Sequence, residues 1–128
     1  MYGKIISKEE ADKQFGPVIE SVAISVGDLT ALIKQTDKSV MFKIINGELH
    51  ILGDGRKVLR PAGRSVKSDV EFHHYSKEIV LEIINGPANS ALGAAETTLT
   101  VERRAETLTV TNGANTLEFA AMCPPFCI

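Results

Sequence analysis

A chain of 128 residues with 44% hydrophobic content can bury one sizeable core, which favours a single domain. The formal net charge of −2 excludes the global basic excess that marks many nucleic-acid-binding domains. No run of about 18 apolar residues occurs, so no membrane-spanning helix is expected.

The start, Met1 to Glu10, turns acidic where a signal peptide needs its apolar segment, so the expectation is a cytoplasmic protein. Residues 7–15 read as a short helix. Ser7 can cap it, Glu9 and Glu10 suit the positive end of the helix dipole, and Gly16-Pro17 stops it. This leader, residues 1–20, is expected to pack across the remainder of the chain.

Val22-Ala23-Ile24 opens a first unit over 22–60. Ser25, with Asp28 three residues on, is a helix start of the capping-box kind. Leu29, Leu32 and Ile33 form one helical stripe, with Thr30, Lys34 and Gln35 turned away. Val40, Phe42 and Ile44 then share one face of a strand. Asn46-Gly47 is a strong hairpin signal, because both residues tolerate positive φ. Glu48 to Leu52 returns, and Asp54-Gly55 turns the chain into Arg56 to Arg60. The Pro, Gly and Ser content of residues 61–68 marks a connector.

A second unit spans 70–119. Asp69 to His74 reads as a strand with Val70, Phe72 and His74 on one face. Ser76 suits a cap, and Ile79, Val80, Ile83 and Ile84 recur at helical spacing beside Glu78 and Glu82. Their β-branched character leaves a strand reading open. Asn85-Gly86-Pro87 stops the element. Residues 88–96 read as a loop or an extra helical turn. Thr98 to Arg103, Glu106 to Thr111 and Asn115 to Phe119 read as strands, with Asn112-Gly113 as the last turn. Residues 120–128 form a tail.

The two units therefore present the same series twice, a strand, a helix and three strands, and an internal repeat constrains a fold strongly. The closest run is Ser25 to Lys34, followed by Val40 to Ile44 and Glu48 to Ile51. This pattern resembles one domain of the DNA sliding-clamp family. The resemblance implies an α+β fold of a duplicated strand-helix-three-strand unit, with two helices packed on antiparallel sheets. The short leader helix is extra. A clamp polypeptide carries two or three such domains, and this chain has room for one. Clamp helices present basic residues to DNA. Here Lys34 and Lys38 stand with Asp28 and Asp37, and Lys77 with Glu78 and Glu82, and carboxylates repel phosphate. Nucleic acid is therefore not the favoured partner.

Arg56, Lys57, Arg60, Arg64 and Lys67 form one basic cluster without an intervening acid. With Lys34 and Lys38 they are the candidate anion or nucleic-acid contacts, weighed against a solvated loop edge that discourages aggregation. Asp69, Glu71 and His73 alternate on one strand face and are the candidate metal ligands, although most such faces are simply hydrated. His74 is expected on the packed side beside Phe72, and His50 reads as structural. Cys123 and Cys127 are too few for a structural zinc site and lack Cys-x-x-Cys spacing, so a reduced pair is expected. Gly53 and Gly55 mark a turn, not a phosphate loop, since no helix follows. No local pattern activates a nucleophile.

These readings favour a non-enzymatic binding or assembly module without a cofactor. It would self-associate through edge strands or bind a protein partner. A single-domain clamp ring and a small metal enzyme are the alternatives.

Overall fold

The computed structural model describes residues 3–61, 63, 66–67, 69–85, 98–105, 107–112, 115–118 and 121–123. Among them the chain is α+β, with three helices and two five-stranded antiparallel sheets. The order is β1 (Lys4–Ser7), α1 (Lys8–Phe15), β2 (Glu20–Ser25), α2 (Val26–Ile33), β3 (Ser39–Ile45), β4 (Glu48–Leu52) and β5 (Val58–Arg60). Then come β6 (Phe72–Ser76), α3 (Lys77–Ile84), β7 (Thr98–Arg103), β8 (Leu108–Thr111), β9 (Asn115–Glu118) and β10 (Ala121–Cys123).

The helices begin where side chains satisfy free backbone donors. The Glu10 amide donates to Ser7 Oγ at 3.2 Å, and the Asp28 amide to Ser25 Oγ at 3.0 Å. Ser76 also occupies a cap position, without a side-chain capping bond. The Asn46-Gly47 turn adopts positive φ at both residues, 52° and 78°, and joins β3 to β4 as a hairpin. The stretch 79–84 is helical, because its apolar residues bury one face: Ile79, Val80, Ile83 and Ile84 all lie in the core.

One sheet runs β1-β9-β8-β7-β2, the other β10-β6-β3-β4-β5. The strands preceding α2 and α3 cross over: β2 pairs with β7, and β6 with β3. Register is alike at both junctions. Ser25 lies opposite Thr98, the first residue of β7, and Ser76 lies opposite Ser39, the first residue of β3. The inner faces of both sheets and the buried faces of α2 and α3 share one core. It contains Leu29, Ile33, Phe42, Ile51, Tyr75, Val80, Val101 and Leu117. Phe42 and Tyr75 meet edge to face, ring centroids 5.9 Å apart. A smaller cluster of Met41, Leu52 and Phe72 lies on the other face of the second sheet, with Val66 and Val70 against it.

Three expectations change. The strand expected over 69–74 begins at Phe72, and Asp69 sits in a turn before it. Lys4–Ser7 forms a strand ahead of the leader helix, and Ala121–Cys123 in the expected tail forms another. Neither carries an apolar alternation long enough to announce itself. Each is instead specified by the strand it joins, β9 for β1 and β6 for β10. Residues 88–96, Gly113 and Cys127 lie outside the described residues.

Candidate functional site

The region around β5 carries most of the basic residues that the sequence singles out. Its position is fixed by Asp54, in the short 3-10 turn between β4 and β5. The Asp54 carboxylate accepts from the backbone amides of Asp37, Lys38 and Ser39, at 2.8, 3.1 and 2.9 Å. Thr36 Oγ1 accepts from the Asp54 amide and donates to the Ser39 carbonyl, both at 2.8 Å. The loop leaving α2 is thereby tied to the turn entering β5. Partial burial raises the Asp54 pKa, but the backbone and Thr36 hydrogen bonds outweigh it and hold the carboxyl below its ordinary range.

The basic cluster divides. Arg56 is committed to structure: Nη2 donates to the carbonyls of Lys67 (3.1 Å) and Val70 (2.7 Å), and the guanidinium lies 5.5 Å from the Phe72 ring centroid. It pins the connector over the smaller apolar cluster, which accounts for its position without an anion. Lys57 and Lys67 are exposed, Arg60 is half-buried on β5, and Lys34 and Lys38 are exposed after α2. Arg64 lies outside the described residues.

Between α2 and β5 is a cavity of about 340 Å3, lined by Asp28, Ala31 and Leu32 from the helix and Leu59 and Arg60 from the strand. An apolar floor with one charge of each sign at the rim suits a polar-flanked apolar side chain. It offers no nucleophile and no general-base pair.

The candidate metal ligands do not form a site. Asp69 is in the turn, the Glu71 carbonyl accepts from Lys43 Nζ at 3.0 Å, and His73 lies within β6. Among the described residues, no three His, Cys, Asp or Glu side chains come together. Burial and the nearby Lys43 ammonium lower the His73 pKa to about 4, so the ring is neutral at pH 7. His74 is buried on the face of Phe72 and opposite Met41, as its alternation implies. His50 is nearly buried, with Nε2 3.2 Å from Glu48 Oε1. Cys123 falls in β10.

Among the described residues, three buried charged residues escape sequence reasoning, Glu102, Arg104 and Glu118. Arg104 is fully buried under α1 with its donors directed to Glu102, Thr109, Asp12 and the Gly16 carbonyl. Glu118, on β9, is fully buried, and among the described residues neither carboxylate oxygen has a hydrogen-bond partner. Nothing local in the sequence singles them out. Only the packing of the leader on the first sheet makes Arg104 interior.

Burial raises the Glu118 pKa to about 7, opposed in part by the Lys4 ammonium. The folded state therefore holds this proton more tightly than the unfolded chain. The stabilising contribution is complete below the ordinary value of 4.5 and is lost as pH rises through about 7. Glu118→Gln should match the parent protein near pH 4 and be more stable by about 1–2 kcal/mol at pH 8. Urea titrations of both proteins across this range check the difference. Comparison with the parent is needed because His73 acts oppositely, costing stability as pH falls from 6.5 toward 4.

No family model matches the chain, and no curated protein or solved structure shows significant similarity to it. The function is therefore argued from geometry.

Proposed function

We propose that this protein is a non-enzymatic assembly module built as a duplicated, clamp-like domain, self-associating through an edge strand. The observation that carries the reading is the crossed pairing of β2 with β7 and β6 with β3, in matching register and each followed by an eight-residue helix. Two copies of a strand-helix-three-strand unit that exchange first strands account for it, and so resemble a sliding-clamp domain.

The DNA-encircling alternative is disfavoured. The exposed helix positions include Asp28, Glu78 and Glu82, against Lys34, whereas duplex affinity rests on neutralising phosphates. The Lys77 ammonium is engaged with the Thr36 carbonyl at 2.8 Å. The metal-enzyme alternative has no ligand cluster among the described residues to stand on.

Self-association draws support from the sheet ends. Among the described residues, β1, β2, β5 and β10 each lack a second strand neighbour. Three of these edges are guarded or short: β1 has four residues including Lys4, β5 has three with a register shift against β4, and β10 has three. By contrast β2 has six residues without Lys or Pro, and Ile19 beside it is 53% exposed. A long unguarded edge is a template for pairing with a second copy. Light scattering on a sizing column under reducing conditions should give a dimer, since one edge pairing with its own copy closes at two. Ile19→Lys combined with Ala23→Lys should shift the mass to the monomer at unchanged melting temperature. A monomeric parent protein would refute the self-association.

A further inference from the structure

The open edge of β2 has an occupied counterpart in the same molecule. Strands β2 and β6 each run into an eight-residue helix, and each ends on the serine that precedes it, Ser25 or Ser76. Those serines lie opposite the first residues of β7 and β3, and neither pairing carries a register shift. Counting back from them matches Ile24 with Tyr75, both in the main core, and then Ala23 with His74, Val22 with His73 and Ser21 with Phe72. On β6 the last three of these positions are covered by β10, which lies antiparallel through Ala121, Met122 and Cys123. Among the described residues, the matching positions on β2 carry no strand.

The pleat restricts how a second copy can take this place. Val22 and Ile24 pack toward the core, while Ser21 and Ala23 are exposed on the other face. Opposite residues of an antiparallel pair share a face, so a two-fold axis must pass through a residue and not between two. An axis through Val22 pairs residues 20–24 of both copies and lays 21–23 of one over 21–23 of the other, the span that β10 covers on β6. Moving the axis to Ser21 shortens the paired strand to residues 20–22. Moving it to Ala23 sets Glu20 against Val26, the first residue of α2.

We infer that two copies pair antiparallel along β2 with Val22 on the two-fold axis, each β2 lying on the other as β10 lies on β6. Their first sheets become one continuous sheet. Half-buried Val22 meets Val22 of the partner subunit and extends the apolar core across the axis. On the outer face the small Ser21 comes opposite Ala23 of the partner subunit. Glu20 comes opposite Ile24 of the partner subunit, so like charges do not meet, and it keeps Arg103 at 3.2 Å. Because β10 already holds the β6 edge, each chain keeps one such seat, and the pairing closes at two. The inference rests on the self-association reading and fixes the axis of that dimer.

Cross-linking of the full chain, with Cys123→Ser and Cys127→Ser as background, tests the axis. Directly opposed residues have Cα atoms about 4.5–5.5 Å apart, a distance that a disulfide spans, whereas diagonal neighbours are about 7–8 Å apart. Val22→Cys should therefore link most of the chain into a covalent dimer under mild oxidation, read on a non-reducing gel. Ser21→Cys and Ala23→Cys should each stay largely unlinked, while the two combined should link. Both positions are exposed, so the combined variant reads the register without disturbing the core. Linking of Ser21→Cys alone or Ala23→Cys alone, in place of Val22→Cys, moves the axis and overturns the inference. A light-scattering dimer in which neither Val22→Cys nor the combined variant links also overturns it and leaves the assembly reading standing. A monomeric parent protein removes both.

Discussion

Replacing Arg104 with Met should cost about 3–5 kcal/mol and release the leader helix from the sheet. The guanidinium is wholly buried: Nε donates to Thr109 Oγ1 at 3.1 Å, Nη2 to Glu102 Oε1 at 3.2 Å and Nη1 to Asp12 Oδ1 at 2.9 Å. Nη1 also donates to the Gly16 carbonyl. Removing it strands Glu102, a carboxylate only 4% exposed, with Lys8 at 3.1 Å as its remaining charged partner. Much of the expected loss is this orphaned charge, not the attraction given up. The double variant Arg104→Met with Glu102→Gln should therefore recover a substantial part of the loss. Urea unfolding of the single and double variants measures it, and hydrogen exchange should show residues 8–15 opening first. Equal stability of the two variants would contradict the account.

Asp54→Ala should destabilise the protein by about 2–3 kcal/mol, because three backbone amides lose a charged acceptor at once. The effect should be pH-dependent in a defined direction. The Asp54 carboxyl titrates below its ordinary value of 3.8 in the folded state. Its contribution is therefore whole above that value and disappears as pH falls through the lower folded-state pKa. Parent and Asp54→Ala proteins should converge in stability in strong acid and diverge above pH 4. Asp54→Asn keeps one side-chain oxygen as acceptor and should fall between them. Thermal unfolding from pH 2 to pH 7 checks all three.

What was legible in the sequence was what local chemistry decides. Ser7 and Ser25 cap helices, Asn46-Gly47 turns a hairpin, and Val40, Phe42 and Ile44 face the core. These choices depend on neighbours within a few residues. The fold class followed from the order of those elements. What stayed hidden depends on distant partners. Lys4–Ser7 becomes a strand because β9 offers an edge more than a hundred residues away, and Arg104 is interior because α1 folds over it. The basic cluster shows both sides. Its residues are consecutive enough to notice, yet Arg56 is spent on two carbonyls and an aromatic ring that only the fold brings near. The cavity beside Arg60 could not be found from charge at all, because its floor is made by Ala31, Leu32 and Leu59.

The placement of β1 and β10 bears on how the chain becomes a finished domain. Both flanking strands lie outside the two proposed units, residues 22–60 and 70–119, and both attach to strands of the second, β9 and β6. A chain emerging in order would make the first hairpin, β3 with β4, from adjacent residues, whereas β1 must wait for β9. The leader is thus made before both units and is among the last segments of the described fold to find its place. Until β9 exists, Ile5 and Ile6 have no sheet to join. The half of the domain made first keeps its β2 and β5 edges open in the described fold, while the half made later is covered by the flanking strands β1 and β10.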